Sequence, residues 1–205
     1  MLLPPVAALA LSYVSGSIPA AYLAGRWKGI DLRKQGSGNL GATNVFRVMG
    51  WRIGLAVFAF DTAKGALPVL LLPPQTAWSG QPVWLAIACG IAAIMGHVRP
   101  VFLKFGKGGK GVATAGGVFL AMAPLPTLAS ITAFVIIVFA SGYVSLGSLV
   151  AASVLPVVLA LQVGVSSPLT GLSLAVAVFV FYTHRANIGR LRRGEEHRFG
   201  KKATR

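Results

Sequence analysis

The sequence predicts an all-α integral membrane protein with seven short transmembrane helices, an N-terminus outside the cell and a cytoplasmic C-terminus. The first observation is composition: 55% of the 205 residues are apolar and 11% are charged, whereas a soluble domain carries about 25% charged residues. The second is the charge balance, 19 lysines and arginines against 4 acidic residues. The third is that nearly all basic residues fall within residues 26–52, 99–110 and 185–205. By the positive-inside rule, these three basic segments are cytoplasmic.

The predicted spans follow the apolar segments that separate or flank the basic ones. They cover residues 2–24, 52–72, 83–97, 112–123, 126–141, 146–163 and 169–190. Together they are expected to form a single membrane-embedded domain, residues 1–205. A cleaved signal peptide is not expected, because no positively charged region precedes the first apolar segment.

Two polar features interrupt the first two spans. Gly16-Ser17-Ile18-Pro19 is expected to kink or break the first span near its inner end, which membrane helices tolerate where protein covers the backbone. The second span contains Asp61 and Lys64, which are three residues apart and therefore share one helix face. Ionisable side chains at membrane depth usually pair with one another. A structural ion pair is therefore favoured over a functional role, which stays the alternative.

Residues 112–141 are too long for one span and too short for two ordinary ones. The segment has 30 residues, and about 20 are needed for each crossing helix. One span here would leave the basic C-terminal tail outside. A turn at Pro124–Pro126 gives two short spans and keeps the tail, residues 190–205, in the cytoplasm. There the tail is expected to lie against anionic lipid headgroups.

The first cytoplasmic loop, residues 25–51, contains a polar and glycine-spaced stretch at Gly36–Arg47. Glycines let backbone amides approach a ligand closely, and the short polar side chains and Arg47 add hydrogen-bond donors. If a helix begins near Gly41, Thr43 and Asn44 share a face with Arg47. The stretch is interpreted as a cradle for phosphate or carboxylate. The alternative is an ordinary polar loop between two membrane helices.

The second cytoplasmic loop, residues 97–111, ends in Lys107-Gly-Gly-Lys-Gly111, immediately before the fourth span. Amides at a helix N-terminus and two ammonium groups predict an anion site. The spacing is not that of a Walker A loop, which requires Gly, four residues and then Gly-Lys-Ser/Thr. The alternative is a flexible lysine loop on lipid headgroups, but headgroup contact alone would not require the glycines. His97 is expected to orient this loop.

The third polar motif, His184-Arg-Ala-Asn-Ile-Gly-Arg190, closes the seventh span. His184 and Asn187 are three residues apart and share a face, and a histidine can act as a base near neutral pH. The alternative is an interfacial histidine at a helix end. The charge pattern places this motif on the same membrane face as the first two, which favours a functional role.

Other motifs are missing from the chain. It contains no His-x4-Asp acyltransferase motif and no Gly-x-Ser-x-Gly nucleophile elbow. Its four acidic residues leave few ligands for Mg²⁺, so neither a metal nor a cofactor is predicted. The expected ligands are anions that partition to the bilayer, namely phosphorylated or acyl-carrying lipid precursors.

The main alternative to an enzyme is a transporter or flippase of a phosphorylated lipid precursor. Such a protein would share the basic inner cavity but would need an outward-facing polar path. The predicted outer loops, residues 73–82 and 164–168, carry no charge. Internal repeats, which are common in transporters, are not evident in the sequence either.

The sequence resembles the bacterial membrane glycerol-3-phosphate acyltransferases that use acyl phosphate as donor, the PlsY family. The resemblance covers essentially the whole chain and is highly specific in the order and spacing of its motifs. These are Gly16–Pro19, Gly36–Arg47, Asp61–Gly65, Gly96-His97 with Pro100, Lys107–Thr114, Tyr143–Leu146 and His184–Leu191.

The resemblance implies a seven-helix fold in the bacterial plasma (inner) membrane, with its active site facing the cytoplasm. It implies transfer of an acyl group from acyl phosphate to sn-glycerol 3-phosphate, giving 1-acyl-sn-glycerol 3-phosphate (lysophosphatidic acid) and phosphate. This is the first committed acylation of phospholipid biosynthesis. Transient contact with a soluble enzyme that produces acyl phosphate is implied as well. No nucleic-acid partner is expected.

The resemblance also implies roles for individual residues. The catalytic centre would include Ser37, Lys110, His184 and Asn187. The residues expected to bind the substrates, chiefly through their phosphates, are Gly38, Asn39, Gly41, Thr43, Asn44, Arg47, Lys107, Gly108, Gly109, Gly111 and Ser145. The hydroxyl proton is expected to pass either to His184 or to a substrate phosphate. Which of the two lysines meets which phosphate stays open.

Overall fold

A computed structural model describes residues 2–199, and the fold in this part of the chain is helical. Its ten α-helices are α1 (Pro5–Ser17), α2 (Ala20–Trp27), α3 (Ala42–Met49), α4 (Trp51–Leu71), α5 (Pro82–Val98), α6 (Val112–Met122), α7 (Pro124–Ser141), α8 (Val144–Val163), α9 (Pro168–Thr183) and α10 (Arg185–Arg192). Short 3₁₀ turns lie at Pro73–Gln75 and Val101–Leu103. The end of the predicted interfacial tail, residues 200–205, lies outside the described residues.

The helices confirm a multi-pass membrane protein. Within residues 2–199, five helical segments are long and apolar enough to cross a bilayer: Pro5–Trp27, Trp51–Gln75, Pro82–Leu103, Pro124–Ser141 and Val144–Val163. Helices α9 and α10, bent by 59°, would together form a sixth. Each of the seven predicted spans coincides with an apolar helical segment, but α6 has only 11 residues. The count of seven crossings and the orientation of the termini therefore stay predictions.

Prolines set two of the helix boundaries. The predicted break in the first span is confirmed: α1 ends at Ser17 and α2 begins at Ala20, since Pro19 cannot donate a backbone hydrogen bond. The predicted turn at Pro124–Pro126 lies slightly earlier, at Ala123, and Pro124 starts α7. Proline fits the first turn of a helix, where the backbone amide has no helical partner.

The chain divides into two compact units, Met1–Met122 (unit 1) and Ala123–Arg205 (unit 2). In unit 1, α1 packs on α5 and α4 packs on α6. Glycines allow these contacts: a β-carbon at Gly16 would lie 2.0 Å from the Ala93 carbonyl oxygen, and one at Gly65 would lie 2.1 Å from that of Thr114. Small residues permit such close backbone approach in membrane helix pairs. In unit 2, α8 packs on both α7 and α9.

An apolar cluster in unit 1 supports the first loop. Its buried members are Ala21 on α2, Leu32 and Leu40 in the loop, Val45 on α3 and Val57 on α4. Leu103, which precedes the second loop's glycines, packs against the same cluster. Both loops are thereby attached to one side of unit 1.

The predicted ion pair inside the second span is confirmed. Lys64 Nζ lies 2.7 Å from Asp61 Oδ1, and the two side chains are 3% and 2% exposed. Lys64 Nζ also donates a hydrogen bond of 2.8 Å to the Ile18 carbonyl. This carbonyl lies at the break between α1 and α2 and also accepts a 3.1 Å hydrogen bond from the Ala20 amide. The lysine therefore adds a charged donor to a backbone acceptor at the helix break.

Candidate active site

Asn44 organises the first loop. Its Oδ1 accepts a hydrogen bond of 2.8 Å from the Ser37 amide, and its Nδ2 donates to the carbonyls of Leu32 at 3.2 Å and Gln35 at 3.0 Å. Asn44 itself is buried, with 1% exposed. Both the oxygen and the nitrogen of its side-chain amide thus form hydrogen bonds with the backbone of the loop. The geometry favours a role in shaping the loop over the phosphate contact predicted for this side chain, which stays untested.

The remaining predicted residues of the first loop surround this asparagine. Ser37, Gly38 and Arg47 are exposed, and Asn39, Gly41 and Thr43 are half-buried. Helix α3 begins directly after Gly41, as the sequence suggested. Gly36 has a φ of +61°, and a β-carbon there would lie 2.2 Å from Asn44 Oδ1. Glycine at position 36 is therefore required both by the backbone conformation and by contact with Asn44.

The glycines of the second loop pack against the end of α5. A β-carbon at Gly108 would lie 2.0 Å from the His97 carbonyl oxygen, and one at Gly109 would lie 2.1 Å from His97 Nε2. The Gly108 amide donates to the Val98 carbonyl at 3.0 Å. Close packing therefore requires these glycines whether or not an anion binds, so their presence does not by itself favour an anion site over contact with lipid headgroups. An anion site at this loop stays a prediction.

The loop leads into α6 as expected. Gly111 has a φ of +84°, and its carbonyl accepts a 2.8 Å hydrogen bond from the Ala115 amide. Lys107 is exposed, Lys110 is half-buried and engaged by other groups, and Gly111 is buried. The first-turn amides of an apolar helix therefore follow the two lysines directly, which is the arrangement that favours anions.

His184 lies at the junction of α9 and α10 and is 3% exposed. Its Nδ1 lies 2.9 Å from the Val180 carbonyl oxygen. A carbonyl can only accept, so we assign the hydrogen of the neutral ring to Nδ1. Nε2 is then the nitrogen with a lone pair, and it is the ring atom that can take up a proton.

Glu196 connects two predicted residues of unit 2. Its Oε1 accepts hydrogen bonds from Asn187 Nδ2 at 2.6 Å and from the Ser145 hydroxyl at 2.9 Å. Its Oε2 accepts from Arg190 Nε at 2.6 Å. The structure thus brings Asn187 and Ser145, 42 positions apart in the sequence, to one carboxylate oxygen.

The electrostatics of this cluster favour an ionised carboxylate. Burial raises the pKa of Glu196, but the hydrogen bonds from Asn187, Arg190 and Ser145 outweigh burial and hold the pKa below its usual value. Three donors on one carboxylate stabilise its charged form. Sequence analysis did not identify Glu196 as a site residue. The available signal was an acidic residue inside an otherwise arginine-rich tail, in a chain with only 4 acids.

The residues following Glu196 attach to the turn between α7 and α8. The Phe199 amide donates to the Gly142 carbonyl at 2.7 Å. Arg198 Nε donates to the Tyr143 hydroxyl at 3.1 Å, and its guanidinium lies 5.2 Å from the centre of the Tyr143 ring. The described part of the tail therefore packs on the rest of unit 2. The sequence had suggested only a segment that lies against lipid headgroups.

Comparison with known proteins identifies relatives over nearly the whole chain. The family model described as glycerol-3-phosphate acyltransferase matches residues 6–194. The glycerol-3-phosphate acyltransferase of Geobacter sulfurreducens is 47% identical over 190 residues, which cover 93% of this chain and 95% of the relative. That of Synechococcus elongatus is 45% identical over 209 residues, covering 100% and 99%.

Two crystal structures of PlsY (YgiH), an integral membrane glycerol 3-phosphate acyltransferase, are also similar. The glycerol 3-phosphate form is 38% identical, with a TM-score of 0.85 and 96% of each chain covered. The lysophosphatidic acid form is 36% identical, with a TM-score of 0.83 and coverage of 96% of this chain and 95% of the other.

Proposed function

The chain belongs to the glycerol-3-phosphate acyltransferase family, and we propose that it transfers an acyl group from acyl phosphate to sn-glycerol 3-phosphate. The products are 1-acyl-sn-glycerol 3-phosphate and inorganic phosphate, and the reaction is the first acylation of phospholipid synthesis. The observation that carries this proposal is the match over nearly the whole chain to the glycerol 3-phosphate form of PlsY. Both substrates carry phosphate, which accounts for two glycine-rich loops of anion-binding type.

The chemistry suits a site without a covalent intermediate. Acyl phosphate is a mixed anhydride, so its carbonyl carbon is already activated. The glycerol hydroxyl oxygen bonds to that carbon, the bond from the carbon to the phosphate oxygen breaks, and phosphate leaves with the electron pair. The protein must hold two phosphates, align the hydroxyl and stabilise the oxyanion. Hydrogen-bond donors and cations serve all three tasks.

In unit 1 the proposal assigns Ser37 and Lys110 to catalysis. Arg47, Thr43 and the Lys107–Gly111 backbone would bind phosphate. The support is local: Ser37 lies in a loop fixed by Asn44, and Lys110 lies two residues before the first turn of α6. A fixed backbone lets donors hold a substrate without reorganising during the reaction.

In unit 2 the proposal assigns His184 and Asn187 to catalysis and Ser145 to phosphate binding. His184 Nε2 accepts the hydroxyl proton, since Nδ1 is oriented toward the Val180 carbonyl. Asn187 and Ser145 are held by the same Glu196 oxygen. A substrate phosphate is the alternative proton acceptor, and the two routes differ in their pH dependence.

The proposal includes seven crossings in the bacterial plasma membrane, with the N-terminus outside and the reaction on the cytoplasmic side. Its support is the placement of the basic residues, which cluster at positions 26–52, 99–110 and 185–205, between or after the apolar helices. If these three segments are cytoplasmic, the chain obeys the positive-inside rule. A soluble enzyme that makes acyl phosphate would deliver the donor from that side.

The test is direct. Purified protein receives glycerol 3-phosphate with palmitoyl phosphate, and both inorganic phosphate and lysophosphatidate are measured. We expect equal amounts of the two products, and none when palmitoyl-coenzyme A replaces the acyl phosphate. Absence of phosphate release, together with uptake of glycerol 3-phosphate into vesicles containing the protein, would contradict the enzyme and support the transporter.

A further inference from the structure

We propose that His97 is a positioning residue for the second loop, and that Asp61 and Lys64 hold it in place from inside the membrane. The inference rests on the proposed function, because its readout is binding of the phosphorylated substrates. It assigns a role to a buried charged cluster that the reaction itself does not use.

His97 packs directly against two glycines of the second loop, Gly108 and Gly109. Its Nε2 occupies the space that a β-carbon at Gly109 would enter, at 2.1 Å, and its carbonyl oxygen lies 2.0 Å from where a β-carbon at Gly108 would stand. His97 is 5% exposed. Two consecutive glycines are therefore in contact with one residue, and a movement of the ring would directly alter the backbone that precedes Lys110.

The far side of the ring faces the buried ion pair. His97 Nδ1 lies 3.6 Å from Asp61 Oδ1, and Lys64 Nζ lies 2.7 Å from the same oxygen. Lys64 in turn donates to the Ile18 carbonyl at 2.8 Å. A continuous series of contacts thus runs from the break between α1 and α2, through Lys64 and Asp61, to His97 and Gly109.

This arrangement explains why charged groups are kept inside the second span. An ion pair buried among apolar helices is weak support for stability, since desolvation offsets much of the attraction. It can still fix positions, because Asp61 lies between Lys64 and His97 and Lys64 is in turn held by the Ile18 carbonyl. The glycines of the loop are consequently packed against a histidine of α5, which is itself next to the ion pair of α4.

A compensating pair of substitutions tests the contact. Gly109→Ala places a methyl group against the ring and should lower kcat/KM by about 10²-fold, the loss typical of a 1 Å misplacement. His97→Ala removes the ring, so His97→Ala/Gly109→Ala should recover at least part of the activity lost in Gly109→Ala. The matched control is His97→Ala/Gly108→Ala, which should show no recovery, because Gly108 abuts the backbone carbonyl of His97 rather than its ring.

The kinetic constants separate positioning from general stability. We expect His97→Ala and Asp61→Asn to raise KM for a phosphorylated substrate more than they lower kcat, and His97→Gln, which retains bulk, to lie nearer the unsubstituted protein. Unchanged KM with a lowered melting temperature, or no recovery in the His97→Ala/Gly109→Ala pair, would overturn the proposal. If the unsubstituted protein lacks acyltransferase activity, the proposed function fails instead, and the compensation can still be read from melting temperatures.

Discussion

The Asn187 side-chain amide donates a 2.6 Å hydrogen bond to Oε1 of Glu196. The Ser145 hydroxyl donates to the same oxygen at 2.9 Å, and Arg190 binds the other oxygen. The side chain of Glu196 is 5% exposed. One buried carboxylate therefore determines the orientation of two side chains that are proposed to meet the substrates.

Glu196→Ala should reduce both stability and turnover. The substitution removes the acceptor that Asn187, Ser145 and Arg190 share, and a buried donor that loses its acceptor costs about 1–3 kcal/mol. We expect a lower melting temperature in detergent and a marked loss of phosphate release. Glu195→Ala is the matched control, since the pair of Glu195 with Arg193 has side chains 57% and 59% exposed. Surface pairs contribute little, so equal effects of the two substitutions would contradict the role of Glu196.

Acid should weaken the same cluster. The pKa of Glu196 in the folded protein lies below its ordinary value of 4.5. A lowered pKa contributes stability that is present above the unfolded value and is lost as the pH falls through the folded value. The melting temperature should therefore drop below about pH 4.5 more steeply in the unsubstituted protein than in Glu196→Gln. If the melting temperatures of the two proteins fall equally with pH across this range, ionisation of Glu196 does not contribute to stability.

His184→Ala should lower kcat by about 10² to 10⁴, the usual loss when a catalytic base is removed. The remaining activity should also lose the part of its pH dependence that comes from the imidazole. The measurement is the pH profile of phosphate release for both proteins. Near-normal turnover with an unchanged profile would exclude His184 as the base and favour a substrate phosphate as the proton acceptor.

Gly36→Ala should disrupt the first loop. Its φ of +61° and the 2.2 Å approach of Asn44 Oδ1 to a β-carbon leave no room for a methyl group, so the hydrogen bond that the Ser37 amide donates to Asn44 Oδ1 should break. We expect a large fall in kcat/KM with a smaller change in melting temperature. Gly116→Ala is the control, because no atom lies within 4 Å of a β-carbon there; similar losses in both would argue against the loop as the cause.

Several features of the fold were predictable because they depend on local chemistry. Pro19 lacks an amide hydrogen and favours a break near the inner end of the first span, although Pro68 and Pro156 lie within α4 and α8. The spacing of Asp61 and Lys64 puts them on one helix face, and their pairing follows from the cost of an isolated charge in lipid. The start of α7 was misplaced by two residues, because Pro124 and Pro126 fit a helix's first turn as well as a bend.

The site was less predictable at the level of individual contacts. Asn44 was recognised as a site residue, but nothing in its spacing shows that it binds Leu32, Gln35 and Ser37. Glu196 was counted only as one of the few acids. In both cases the partners lie outside the helix or turn of the residue itself, and neither hydropathy nor charge indicates which carbonyl, amide or hydroxyl will come within hydrogen-bond distance.

By itself, the sequence determined that this chain is a multi-pass helical membrane protein with glycine-rich, cationic motifs of the acyltransferase family. Those properties follow from the length of the apolar segments, the positions of the charged residues and the order of the motifs, all of which can be read from the sequence alone. Only the tertiary structure decided that Gly108 and Gly109 rest on His97, and that Asn187 and Ser145 share the Glu196 carboxylate. These pairings depend on how packed helices and folded loops bring separate parts of the chain together, because steric contacts and hydrogen bonds both form only within a narrow range of distances.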